Sequence, residues 1–307
     1  YGTVVANFPI TVSSGRLLSS PTLADINEDG EFEIMQISTD GSMYVFDLNG
    51  DKVWATAFTS KGDSFGSQIR TGSPVVEDLD GDGFNEIIAP SASGLLYALD
   101  TDGNIIWSYR AGDSISGTPM VANFDPDQPG YEVIFGSGDT QLYVLDQNGE
   151  LLWKRATDWI ISSPPQLHDL DDDGFPEILV SGEDKKVHAF HYWAEVVEGW
   201  PKAADGAITS APVTGDIDAD GEDEILIGSE DGKLYAWNSD GTDLPSWPKQ
   251  TGISYKGSPV IMNVDSDVEE EIFAADFSGA ILAWGVTEDD PIIGPYIHST
   301  FIPTIRR

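Results

Sequence analysis

Apolar and polar residues alternate along this chain in short runs separated by turns rich in glycine and aspartate. The clearest runs are Met43-Tyr-Val-Phe46, Leu96-Tyr-Ala-Leu99, Leu142-Tyr-Val-Leu145 and Leu234-Tyr-Ala-Trp237. More continuously apolar runs precede them: Glu33-Ile-Met-Gln-Ile37, Glu86-Ile-Ile, Glu177-Ile-Leu-Val180 and Glu224-Ile-Leu-Ile227. A period of two over so few residues predicts strands. The joints between runs, such as Thr39-Asp-Gly41, Leu48-Asn-Gly50, Thr101-Asp-Gly103 and Glu230-Asp-Gly232, are hairpin turns, because glycine there takes the positive φ that such turns need. No sustained 3.6-residue pattern occurs, so almost no helix is expected.

The strands recur as a unit. Six times, about 46 residues apart, an acidic loop appears. It runs Asp25 to Glu33, Asp78 to Glu86, Asp169 to Glu177, Asp216 to Glu224 and Asn263 to Glu271, with a variant from Asn123 to Glu132 that is one residue longer. A small residue followed by proline precedes each loop: Ser20-Pro21, Ser73-Pro74, Thr118-Pro119, Ser163-Pro164, Ala211-Pro212 and Ser258-Pro259. A tryptophan strand with Trp54, Trp107, Trp153, Trp200 or Trp247 closes five of the units. Four antiparallel strands per unit and six units predict an all-β, six-bladed β-propeller. The sixth unit stops after Ile281-Leu-Ala-Trp284 without a tryptophan strand. Asn7-Phe8-Pro9 matches Gly199-Trp200-Pro201 and Ser246-Trp247-Pro248, so the N-terminal strand is expected to complete that blade and remove an exposed edge. Residues 1–286 then form the propeller, and 287–307 form a tail or linker.

Composition narrows the partners. The formal charge of -38 over 307 residues excludes a nucleic-acid footprint, which is basic. About half of the 53 acidic residues lie in the six loops. There are no cysteines, hence no disulfides, and no apolar run approaches the ~20 residues of a membrane-spanning helix. No leader pattern opens the chain, and Tyr1 reads as a mature start. Within each loop, oxygen-bearing side chains at positions 1, 3, 5 and 9 surround a glycine turn, the set that a hard cation seeking six to eight oxygens prefers. About five or six Ca2+ ions are expected, and six would cancel roughly 12 charges.

These loops and their strand context resemble the FG-GAP/VCBS repeats found in integrin α-subunit propellers and in many bacterial and archaeal surface proteins. The resemblance covers nearly the whole chain. It implies calcium bound between the first and second strands of each blade, on one face of the disc, with partners meeting the opposite face. The implied side-chain ligands are Asp25, Asn27, Asp29 and Glu33; Asp78, Asp80, Asp82 and Glu86; Asp169, Asp171, Asp173 and Glu177; Asp216, Asp218, Asp220 and Glu224; and Asn263, Asp265, Asp267 and Glu271. Backbone carbonyls come from Glu31, Phe84, Phe175, Glu222 and Glu269. The variant loop offers Asn123, Asp125, Asp127 and Glu132, with glycine displaced to its eighth position. The last loop has Val268 where glycine makes the turn, which lowers its expected affinity. Integrin propellers have seven blades, against six units here. The tryptophan hairpin also resembles the docking repeat of pyrroloquinoline-quinone enzymes, a scaffold feature that does not imply the cofactor.

Catalytic signals are sparse. His168, His188, His191 and His298 show no zinc-protease spacing, and His188 and His191 fall on opposite faces of a strand. His168 reads as a neighbour of the metal loop. Seven tryptophans sit at repeated positions and read as packing. Trp159 and Trp193 break the pattern, either packing locally or offering a surface on which a sugar or peptide stacks, and blade four lacks its usual Asp-x-x-Gly turn beside Trp193. Basic residues cluster in the connections expected on the face away from the loops. Arg70, Arg110, Trp159, Trp193, Tyr255 and Lys256 are therefore the candidate ligand-binding residues. The expectation is a monomeric, secreted or cell-surface module that binds a glycan or protein without catalysis. A carbohydrate-active enzyme resembling a polysaccharide lyase, or a purely structural propeller, is the alternative.

Overall fold

The computed structural model describes residues 8–12, 17, 19–58, 72–250, 252–263 and 270–284. Among them are 23 strands and no helix. The strands form six antiparallel meanders in chain order, five of four strands and one of three. The first sheet comprises Thr22–Ala24, Glu33–Ile37, Ser42–Asp47 and Lys52–Ala57. The second comprises Val75–Glu77, Glu86–Pro90, Leu95–Leu99 and Ile105–Arg110, and the third Met120–Ala122, Glu132–Gly136, Gln141–Leu145 and Leu151–Ala156. The fourth comprises Gln166–His168, Glu177–Ser181, Lys186–Phe190 and Lys202–Ala203, and the fifth Val213–Gly215, Glu224–Gly228, Lys233–Asn238 and Lys249–Gln250. Val260–Met262, Glu271–Ala275 and Ile281–Trp284 form the sixth. Of the predicted N-terminal completing strand, Asn7 lies outside the described residues, whereas residues 8–12 are described and form no strand, so the sixth sheet has three strands among the described residues. The tail from 287 lies outside the described residues.

Burial explains why the inner strands read as apolar runs. Every residue of Glu132–Gly136, Glu177–Ser181 and Glu224–Gly228 is buried, because each of these strands is covered on both faces. The outer strands Lys52–Ala57 and Ile105–Arg110 alternate between exposed and half-buried instead. Each core cluster joins two consecutive sheets. Met35 and Val45 of the first pack with Ile87 and Leu99 of the second, and Ile88 and Leu96 of the second pack with Phe135 and Leu145 of the third. The same stepwise packing continues from the third sheet to the sixth.

The tryptophans staple this stack. The indole N–H groups of Trp54, Trp107, Trp153 and Trp200 donate to the carbonyls of Thr101, Gln147, Tyr192 and Ser239, each on the last hairpin turn of the next sheet. Trp54, Trp107 and Trp153 lie in strands as expected. Trp200 and Trp247 lie just before two-residue strands instead, because Pro201 and Pro248 follow directly and have no N–H to give to a ladder.

The meander sets two ends for every sheet. The loop between strands one and two and the turn between strands three and four share one end. The turn between strands two and three and the connection to the next sheet share the other.

Candidate functional site

The acidic loops build themselves from local hydrogen bonds. In the loop Asp78–Glu86, the carboxylate of Asp78 accepts from the N–H groups of Gly81, Asp82 and Gly83, at 2.9, 3.1 and 3.0 Å. Asp80 accepts from Asp82 N–H, and Asp82 accepts from Phe84 N–H. The first, fourth and fifth loops share most of this wiring, for example Gly30 N–H to Asp25, Gly174 N–H to Asp169 and Gly221 N–H to Asp216. The sixth position takes φ of 90, 89, 89 and 97° at Gly30, Gly83, Gly174 and Gly221, where a side chain would be strained. The second residue is an apolar plug: Ile26, Leu79, Leu170 and Ile217 are all buried. Its N–H donates to the ninth-position glutamate, at 3.0, 2.9, 2.8 and 2.9 Å for Glu33, Glu86, Glu177 and Glu224.

This wiring turns the side-chain oxygens inward. Ligand atoms of Asp78, Asp80 and Glu86 lie within 4.8 Å of one another, as do those of Asp216, Asp218 and Glu224. The fourth loop holds two overlapping sets, Asp169 with Asp171 and Asp173, and Asp171 with Glu177 and His191. Adjacent loops are tied as well. Asn85 Nδ2 donates to Asp25 O, Tyr131 N–H donates to Leu79 O, and His168 lies 3.6 Å from Asp223.

Converging carboxylates carry an electrostatic cost. Burial pushes up the carboxyls of Glu33, Glu86, Glu177 and Glu224, and the neighbouring carboxylates push further against the lowering effect of the backbone N–H. Glu224 reaches about 7, from burial first and then Asp218, Asp220 and Asp216. Relative to an ordinary value of 4.5, the folded cation-free chain holds this proton more tightly than the unfolded chain. The resulting stability is complete below the ordinary value and is lost as pH rises through about 7. Chemical denaturation of EDTA-treated protein is therefore expected to show falling stability from about pH 5 to about pH 8. Glu224→Gln, which can still accept from Ile217 N–H, should make that slope shallower, and an unchanged slope refutes the assignment.

The variant third loop keeps the anchor and changes the rest. Glu132 is fully buried, and its Oε2 accepts from Phe124 and Asp125 N–H at 3.0 and 3.3 Å. Its Oε1 is buried without a hydrogen-bond partner, which leaves an acceptor for a cation to satisfy. Asp125 is buried and accepts from Asp127 N–H. In the sixth loop Asn263 and Glu271 are described, Glu271 being buried, while Asp265, Asp267 and Glu269 lie outside the described residues.

The candidate ligand-binding residues do not form one surface. Arg110 donates to Ser93 O, Trp159 Nε1 donates to Glu183, and Lys256 pairs with Glu230 at 3.0 Å. All three are at the end of their sheets away from the acidic loops, and Trp159 is 54% exposed. Trp193 is at the opposite end, stacked on His191 beside the fourth acidic loop. Tyr255 corrects the expectation. It is fully buried in the core between the fifth and sixth sheets, its ring seated against Gly228, so it offers no surface. Arg70 lies outside the described residues.

One further sequence expectation changes and another holds. Blade four does keep its last hairpin turn, with Ala194 at φ 72° taking the glycine's place and donating its N–H to His191 O. The two histidines do diverge, His188 pairing with Asp184 at 2.7 Å and His191 with Glu177 at 2.9 Å. His191 was not foreseen as a partner of the fourth acidic loop. The signal was its alignment with Asp47, Asp100, Asp146 and Asn238, which begin the same turn in the other sheets.

Comparison with known proteins bears on the fold. The family model for the lambda-carrageenase beta-propeller domain matches residues 74–158. The lambda-carrageenases of Pseudoalteromonas carrageenovora and of another Pseudoalteromonas are each 29% identical over 80 residues. The match takes in 26% of this chain and 8% of their length. Among solved structures, BamB from Moraxella catarrhalis aligns with a TM-score of 0.58 at 20% identity, over 82% of this chain and 69% of that one. BBS1N in complex with ARL6DN aligns with a TM-score of 0.59 at 12% identity, over 91% of this chain and 81% of that one. Taken with the six consecutive meander sheets, these likenesses give the chain a β-propeller fold.

Proposed function

We propose that this chain is a calcium-stabilised, six-bladed propeller that serves as an extracellular or cell-surface recognition module for a glycan or protein, without catalysis of its own. The observation that carries this reading is the recurrence of one hydrogen-bonded acidic loop in the first, second, fourth and fifth units, with side-chain oxygens converging in the second, fourth and fifth. Calcium supplies the positive charge that the raised carboxyls lack and takes oxygens alone. Position 1, 3, 5 and 9 side chains would hold it in the first, second and fifth loops, with the carbonyls of Glu31, Phe84 and Glu222. Glu132 Oε1 supports a site in the third loop with Asn123, Asp125 and Asp127, and Asn263 and Glu271 hold the corresponding places in the sixth. Closure of the ring by the N-terminal segment, expected from the match of Asn7-Phe8-Pro9 to Gly199-Trp200-Pro201, is part of this reading. An extracellular setting suits sites of this class, whose affinities of about 0.1–1 mM match calcium outside cells.

The ligand-binding end is the one away from the loops, where Arg110, Trp159 and Lys256 lie. Polysaccharide is the first class to test, because residues 74–158 are similar to a propeller domain of lambda-carrageenases. The chain's formal charge of -38 repels anionic polymers, so neutral polysaccharides belong in the test beside lambda-carrageenan, with and without calcium. Binding is expected in calcium buffer, weakened about tenfold by Trp159→Ala, with the polymer left intact. New reducing or unsaturated ends would favour the carbohydrate-active enzyme. Binding to no glycan or protein would favour a purely structural domain.

A further inference from the structure

The fourth acidic loop differs from the first, second and fifth in having a ring nitrogen beside its ninth-position glutamate. The residue cross-strand from the ninth-position glutamate is Asp47 opposite Glu33 and Asn238 opposite Glu224. In the fourth sheet, Ile178 pairs with Phe190, which places His191 opposite Glu177. There the imidazole turns into the loop, with Nδ1 2.9 Å from Glu177 Oε1. Asp171 joins them, and the three ligand atoms lie within 4.8 Å of one another. We propose that this loop is a site for a divalent transition cation of the zinc class, held by Asp171, Glu177 and His191, rather than another copy of the calcium cradle. The proposal rests on the reading of the loops as cation sites and assigns this one a different ion.

Donor chemistry favours that ion. Calcium seeks oxygen, whereas an imidazole nitrogen mixed with carboxylates suits zinc and its neighbours. At metal–ligand bonds of about 2.0–2.2 Å, adjacent ligands stand roughly 3–3.5 Å apart, so His191 and Glu177 are already near that spacing. The imidazole is also held in place. Trp193 stacks on it at 4.2 Å between centroids and 5° between planes, and Tyr192 packs edge-on against Trp193 at 4.6 Å. Such outer contacts fix ring orientation before a metal arrives.

The site is reachable. A groove of about 640 Å³ runs beside it, lined by Asp171 and His191 on one side and by Ser239 and Asp240 of the fifth sheet on the other. Glu177 is fully buried behind it. An ion here bridges a buried anchor and an open groove, with room for water or an oxygen-bearing ligand on its free side. The other described histidines serve elsewhere, His168 near Asp223 and His188 on Asp184.

Equilibrium dialysis of the full chain against micromolar zinc, with millimolar calcium in excess, tests the proposal by metal analysis. One zinc per chain is expected in the unaltered protein and in His168→Gln. His191→Gln should bind it more than about tenfold more weakly while keeping its calcium-induced rise in melting temperature. Zinc retained equally by His191→Gln overturns the proposal. Calcium stabilisation without zinc retention overturns it and leaves the calcium loops standing, and loss of both removes the cation reading altogether. Histidine-ring resonances of the unaltered chain provide a variant-free check: the His191 signals are expected to move with zinc and not with calcium, and unmoved signals overturn the assignment.

Discussion

Removing divalent cations with EDTA is expected to lower the melting temperature of this protein by about 10 °C or more relative to a buffer with about 10 mM calcium, which exceeds the affinity range of such sites by one to two orders of magnitude. Binding to the folded state alone stabilises by RT ln(1 + [L]/Kd), which is about 1.4–2.7 kcal/mol per site when calcium exceeds Kd by 10- to 100-fold. The all-oxygen first, second and fifth loops together then contribute roughly 4–8 kcal/mol. Each kcal/mol moves the midpoint of a domain of about 200 residues by a few degrees. Relief of the repulsion around Glu33, Glu86 and Glu224 acts in the same direction. Differential scanning calorimetry with EDTA, calcium and magnesium measures the effect, and Glu86→Gln should remove only one site's share. Equal melting temperatures in EDTA and calcium would reduce the loops to hydrogen-bonded turns, and the extracellular reading would lose its support.

Tyr143→Ala should cost about 4 kcal/mol, and Tyr143→Phe only about 1–2 kcal/mol. The ring is buried between the second and third sheets, stacked on Phe135 at 5.0 Å and met edge-on by Tyr109 at 5.7 Å. Alanine leaves a cavity where those rings met, whereas phenylalanine keeps the packing. What phenylalanine loses is the hydroxyl, which donates to Asp139 Oδ2 at 2.5 Å. Burial, then the bond to Asp139, pushes the phenol's ionisation well up, so it remains a donor throughout the accessible pH range. The same device recurs at Tyr44 with Asp40 and at Tyr235 with Asp231, and His188 takes the tyrosine's place on Asp184. Urea midpoints of the two variants decide the matter. Equal losses would mean that the hydroxyl, not the ring packing, dominates.

Residues near one another in sequence were the legible part. The carboxylate of Asp78 reaches N–H groups three to five residues away, so the loop's form follows from its own spelling. The hairpins are equally local, which is why the turns at Asp-Gly and Asn-Gly fall where the alternation places them. Trp159 and Trp193 show where such reading stops. Both interrupt the repeat, and the chain alone does not say that one emerges beside Glu183 and the other beside Glu177, at opposite ends of the same strand pair. Tyr255 looks like a surface aromatic in a glycine-rich connection, yet the missing side chain of Gly228 opens a slot that buries it.

The amino-acid sequence by itself determined the strands, their meander order, the acidic cradles and the repeat. Each of these depends on backbone period and on hydrogen bonds that close within one unit. Only the tertiary structure decided what crosses between units or between distant strands. The indole N–H groups find carbonyls 39 to 47 residues away, and His191 finds Glu177 across 14 residues. These contacts follow from how one sheet packs on the next and from the register of strands two and three. A one-residue change in that register would turn His191 away from the loop, because neighbouring side chains on a strand point to opposite faces.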